Sequence, residues 1–228
     1  MTAFRQINSR PKARLIDRFE LRFLSGSARH IDGLWVGGLE ATSPGWSRLE
    51  QSLQLIKAHD PLRYRRILRD LERVWVRLLV EGLGSFNQAL SACQLDERFV
   101  LAETTSPEEI AATIVHEATH ARLTRCQIGY PEELRARVEA VCFHRELAFS
   151  AKLPNGGQVR EQAELRLEHT SPDYWTNESF RDRHDPSAAD ALKYLGVPNW
   201  LIRVILVTAP FIRGAITDIR RLARFFGV

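Results

Sequence analysis

Residues 106–123 read SPEEIAATIVHEATHARL, and the rest of the chain is best read outward from them. Ser106 suits an N-cap, Pro107 the first helical position and Glu109 the third, where its side chain closes a capping box on Ser106. The carboxylates of Glu108 and Glu109 also face the positive end of the helix dipole. These signals predict a helix from Ser106 to about Gln127, with Gly129 available as the left-handed residue that ends it. Pro131-Glu132-Glu133 opens a second helix with no breaker before Pro154, and the short link makes the two helices antiparallel neighbours.

Inside the first helix, His116-Glu117-Ala118-Thr119-His120 has the form H-E-x-x-H. Positions i and i+4 stack on one face of an α-helix, so the two imidazoles can grip one Zn²⁺ at about 2.0–2.1 Å each. Glu117 is rotated beside them. It can take a proton from a metal-bound water, and later return it to a leaving amine, without being a ligand. With 7 His in 228 positions, chance gives this pattern in about two per cent of chains of this composition. Ile110, Ile114, Val115, Ala118 and Leu123 form an apolar back that seats the helix in a core. Small Ala118 and Thr119 leave room between the imidazoles. The alternative is a pair of ordinary surface or core histidines.

A catalytic zinc takes three protein ligands and keeps one position open. An H-E-x-x-H-x-x-G-x-x-H extension would need Gly and His where this chain has Leu123 and Cys126. His144, His169 and His184 have no placement in the sequence. The second helix offers Glu139, in Arg137-Val138-Glu139-Ala140-Val141-Cys142, flanked by residues that make it half-buried. A carboxylate there needs a partner. Glu139 is expected as the third ligand, ahead of Glu132, Glu133 and Glu146, with a salt bridge to Arg135 or Arg137 as the alternative. Oxyanion stabilisation would fall to His169, Tyr174, Arg181 or His184. Trp175 and Phe180 nearby serve equally well as packing residues.

His116, Glu117, His120 and a downstream helical Glu139 resemble the glutamate-type zincin metallopeptidases, the gluzincins, over about residues 106–149. The resemblance implies His116, His120 and Glu139 as zinc ligands and Glu117 as general base. It also implies an antiparallel edge strand before the helix, onto which an extended substrate adds, supplied by Ser85–Leu95 or Arg98–Ala102. Four residues beyond Glu139, where the family places an acidic partner for the first histidine, this chain has Phe143.

The remainder frames this core. The chain has 228 residues, is 44% hydrophobic and 26% charged, and excludes disordered, collagen-like and coiled-coil classes. Cys93, Cys126 and Cys142 form no CxxC pair, so neither a disulfide framework nor a zinc knuckle is expected. No apolar signal segment opens the chain, which makes a reducing cytoplasm the default expectation. Net charge is +4, with basic residues interleaved among acids, as from Arg63 to Arg77, so no nucleic-acid partner is expected.

Punctuation predicts short strands at Glu20–Leu24 and Leu34–Gly37, and helices from Ser43 to His59 and from Asp60 to about Arg73. A strand is expected at Val74–Glu81, one or two more at Ser85–Leu95 and Arg98–Ala102, and helices near 158–169, 173–183, 187–195 and 198–226. The last of these carries Trp200, Leu201, Val204, Ile205 and Phe211 at helical spacing with Arg213, Arg220, Arg221 and Arg224. That pattern suits packing on the domain or contact with an anionic membrane surface.

The expectation is therefore an α+β, predominantly helical, zincin-like domain with a small antiparallel sheet beside the H-E-x-x-H helix. It would span 20–196, between a basic arm at 1–19 and an amphipathic segment at 197–228. The expected activity is zinc-dependent hydrolysis of a peptide bond in a peptide or protein substrate. Two alternatives stand beside it: a non-catalytic helical binding or regulatory protein with a structural or vestigial zinc site, and a zinc hydrolase of a non-peptide amide.

Overall fold

A computed structural model describes residues 11–13, 15–19, 21–22, 27–168 and 171–208. The first ten residues of the basic arm, most of the Glu20–Leu24 strand, His169 and the chain beyond residue 208 lie outside the described residues. The protein divides into two compact units between Asn177 and Glu178.

The first unit runs α1 (Leu15–Phe19), β1 (Ser27–Ile31), β2 (Leu34–Leu39), α2 (Gly45–His59), α3 (Pro61–Asp70), β3 (Arg73–Arg77), β4 (Gly84–Asn87), β5 (Ala92–Asp96), α4 (Glu97–Leu101), α5 (Pro107–Arg125), α6 (Glu132–Ser150) and α7 (Gly157–Glu168), and then a 3-10 turn at Pro172–Trp175. The described residues are mixed α and β, mostly helical, with one five-stranded sheet in the order β1-β2-β3-β5-β4.

The sheet is mixed rather than the antiparallel one expected. β2 runs parallel to β3, and β3 to β5, while β1 and β4 are antiparallel strands at the two edges. The reason lies in the connection. Two helices stand between β2 and β3, and a helical crossover returns the chain to a parallel neighbour. β4 then reverses at the edge, so that β5 also enters parallel.

Strand alternation separates two cores. Val36, Val74, Val76, Cys93 and Leu95 face α2 and α5, where they pack with Leu49, Leu53, Ile56, Ile110, Ile114 and Val115. Trp75 and Ala92 point the other way and meet Trp35, Leu90, Ala13 and Leu21. Arg77 clasps Asp17 of α1 at 3.0 Å on that side. Only glycine fits at position 38. Its φ is +100°, and a Cβ would stand 1.9 Å from the Val76 carbonyl oxygen.

Arg98–Ala102, expected as a strand, lies mostly in α4. Asp96 ends β5 and caps the helix by accepting from the Phe99 amide at 3.3 Å. Asp96 also accepts from the Leu79 amide at 2.9 Å, which holds the loop between β3 and β4. α5 ends one turn before Gly129. Gln127 takes the left-handed conformation (φ 62°), and the Ile128 amide reaches back to the Leu123 carbonyl at 2.9 Å, closing a Schellman turn.

In the second unit, α8, which begins at Asn177 and ends at Tyr194, continues through Pro186. This merges the two helices expected near 173–183 and 187–195. Residues 199–208 are helical, with Trp200, Val204 and Val207 exposed at i, i+4 and i+7 and Ile202 buried. No helix among the described residues is long and apolar enough to cross a membrane.

Candidate metal centre

The capping box opens α5 as its residues require. Ser106 Oγ accepts from the Glu109 amide at 3.2 Å, and Glu109 Oε2 accepts from the Ser106 amide at 2.9 Å. From Ile110 to Thr119 every residue of α5 is buried, because the sheet covers one side and α6 the other. The Thr113 and Thr119 hydroxyls donate to carbonyls four residues back, at 3.0 and 2.8 Å. On α6, Glu139, Cys142, Phe143 and Glu146 are buried at a spacing that places them on one helix face.

His116 Nε2 lies 3.2 Å from His120 Nε2. The Glu139 carboxylate straddles the pair, with Oε2 at 3.1 Å from His116 Nε2 and Oε1 at 3.3 Å from His120 Nε2. Around an ion with bonds of about 2.05 Å in tetrahedral geometry, neighbouring donors stand about 3.3 Å apart. The nitrogen pair stands at that spacing with a carboxylate oxygen beside each nitrogen, so the two imidazoles and the carboxylate could hold a divalent first-row cation.

Glu146 Oε1 faces the other nitrogen of His116, Nδ1, at 2.5 Å. That contact holds a proton on Nδ1 and leaves Nε2 as the nitrogen that faces Glu139 and His120. Phe143 occupies the position where an acid was expected, and its ring meets His116 edge-on, with centroids 5.0 Å apart. Ring packing by Phe143 and a hydrogen bond donated by Nδ1 to Glu146, one turn later, together orient the imidazole. The family spacing points four residues past Glu139, to Phe143, whereas the acid that meets His116 stands seven residues past it, at Glu146. On its other oxygen, Glu146 is 3.8 Å from Arg166 of α7.

Burial opposes charge on His116, but Glu139 and Glu146 outweigh it and lift its pKa to about 10. Burial also opposes charge on Glu139. There the two imidazoles win, and its carboxyl lies well below the usual range. Glu117 is only 6% exposed and has its pKa raised, by burial first. Its carboxylate accepts no hydrogen bond from the described residues. The first residue of β4 packs against it: a Cβ on Gly84 would lie 3.0 Å from Glu117 Oε1 and 2.7 Å from Thr113 Cγ2.

Two further groups escaped sequence reasoning. Cys142 Sγ and the nitrogens of His116 and His120 all lie within 4.8 Å of one another. Burial raises the Cys142 thiol well above its ordinary pKa. The Tyr130 hydroxyl, on the link between α5 and α6, donates to Glu139 Oε1, and its ring stands edge-on to His120 at 5.4 Å. Sulfur and phenol stand on a helix face and a link that carry no motif.

The other residues nominated in the first unit stand outside this cluster. Cys126 is exposed at the C-cap of α5, and His144 is exposed on α6. Glu132 accepts from the Asn177 amide at 2.7 Å, and Glu133 is exposed. Tyr174 is 46% exposed in the 3-10 turn. Arg181 and His184 belong to the second unit, where His184 faces Asp185 at 3.2 Å. No protein-family model, curated protein or solved structure matches this chain.

Proposed function

We propose that the protein is a zinc-dependent hydrolase of peptide bonds with a zincin-like catalytic unit, in which His116, His120 and Glu139 hold the metal and Glu117 is the general base. One observation carries this reading. Two imidazole nitrogens of α5 lie 3.2 Å apart and each has one oxygen of the Glu139 carboxylate of α6 within 3.3 Å, beside the buried Glu117 of α5. Zinc at such a donor set supplies a Lewis acid for the scissile carbonyl and acidifies water.

The chain's own residues perform the rest. Glu117 takes the proton of the attacking water onto its carboxylate and hands it to the departing amine nitrogen. Glu146 keeps the Nδ1 proton of His116 in place, so that Nε2 remains a donor of electrons. β4 is an antiparallel edge strand whose start packs on Glu117. Its outer backbone groups are suited to pair with an extended peptide, which would lay a scissile bond beside that carboxylate.

The test is peptide hydrolysis by zinc-loaded wild type and Glu117→Gln. The account expects equal zinc content in both and a loss of about 10²–10⁴-fold in turnover in the variant. Equal turnover in the two would refute the role of Glu117. Cys142 supports a second reading, a closed structural site with the thiol in the fourth position. Loss of zinc from Cys142→Ser would favour it, whereas unchanged zinc content leaves that position for water.

A further inference from the structure

Resting on the metal-centre reading above, the geometry points to Tyr130 as a positioning residue: we infer that its hydroxyl fixes the Glu139 carboxylate in the orientation that ligates. The two oxygens of Glu139 have different surroundings. Among the described residues Oε2 meets His116 Nε2, at 3.1 Å, whereas Oε1 is shared between His120 Nε2, at 3.3 Å, and the Tyr130 hydroxyl. A carboxylate on a flexible side chain can turn both oxygens, either one or neither toward an ion. A donor fixed on Oε1 removes that freedom, because rotation about the last bond would break its hydrogen bond. Glu139 is 4% exposed, so water offers little replacement for a lost donor.

The phenol is itself held. Its ring stands edge-on to His120, the second ligand, at 5.4 Å. The Arg135 guanidinium lies 5.6 Å from the ring centroid, and Arg135 also donates to the Trp175 carbonyl at 3.2 Å. The backbone delivers the ring there through the left-handed turn at Gln127, which ends α5 and brings the link back over the helix face carrying His120. Tyr130 thus touches two of the three ligands, one through its hydroxyl and one through its ring. It remains 41% exposed, and Tyr130→Phe keeps its ring contacts while removing the hydroxyl.

The experiment is zinc affinity, measured by competition with a chromogenic chelator, for the full-length wild type, Tyr130→Phe and Tyr130→Ala. Visible absorption of each protein loaded with Co²⁺ reports the ligand geometry. Tyr130→Phe keeps the ring and removes only the hydroxyl. The inference expects it to bind zinc about 10–100-fold more weakly, with Tyr130→Ala weakened at least as much and the cobalt band shifted in both. Wild-type affinity and an unchanged cobalt band in Tyr130→Phe overturn it, as does weakening confined to Tyr130→Ala, which would assign the effect to ring packing. A wild-type protein that takes up neither metal overturns the metal-centre reading itself, and this inference with it.

Discussion

Glu146 provides the sharpest quantitative prediction. It is 3% exposed, its Oε1 sits 2.5 Å from His116 Nδ1, and Phe143 closes one side of the same ring. Glu146→Gln keeps the shape and an oxygen acceptor but removes the charge. A hydrogen bond to a charged group contributes about 1.5–3 kcal/mol and a neutral one about 1 kcal/mol. The variant should therefore lose about 0.5–2 kcal/mol, a drop of about 2- to 30-fold in zinc affinity. Glu146→Ala also leaves Nδ1 without its acceptor and opens a void between α5 and α6. Breaking a buried pair in this way costs about 3–5 kcal/mol of stability, and losing an orienting partner costs about 10–100-fold in metal affinity. Urea unfolding in the presence of a chelator measures the first effect, and zinc competition measures the second. The graded order wild type, Gln, Ala is expected in both. If Glu146→Ala binds zinc with wild-type affinity, His116 does not need this carboxylate and the reasoning fails.

Two further contacts give outcomes of their own. Gly84→Ala would put a Cβ 2.7 Å from Thr113 Cγ2 and 3.0 Å from Glu117 Oε1. It should destabilise the fold by about 1–3 kcal/mol and depress turnover while sparing zinc content. Peptidase assays alongside metal analysis check this, and a fully active variant would show that β4 does not abut the base. Asp60 caps α3 and pairs with Lys152 at 2.8 Å and Arg63 at 2.9 Å. Burial would raise its carboxyl, but these partners hold it below the ordinary value. Such a group adds stability above its unfolded pKa, near 3.9, and that stability is lost as pH falls through the folded value. The stability gap between wild type and Asp60→Asn, about 1 kcal/mol at neutral pH, should therefore shrink below about pH 4. A gap independent of pH in urea titrations would contradict the ion pairs.

The two helices that carry the centre were legible because strong local signals mark them. Ser106, Pro107 and Glu109 fix where α5 begins, and the spacing of His116 and His120 places both rings on one face. Glu139 could be nominated because a carboxylate among Val138, Ala140 and Cys142 needs a partner. Glu146 and Tyr130 were harder to see. Their roles depend on how α6 and its link lie against α5, which no local pattern encodes. The mixed sheet was written in the order strand, two helices, strand between Leu34 and Arg77, but hydrophobic alternation alone does not tell parallel from antiparallel neighbours. Val100 and Leu101 suit a strand by composition, but Asp96 ends β5 and caps α4, so the segment is helical.

The central claim is a single divalent cation held by α5 and α6, and anomalous diffraction at the zinc edge from zinc-loaded crystals tests it most directly. The account predicts one peak per chain, about 2.0–2.2 Å from His116 Nε2, His120 Nε2 and a Glu139 oxygen, and none in Glu139→Ala. Zinc-soaked crystals with no peak at these residues, or with the metal lodged elsewhere, would contradict it.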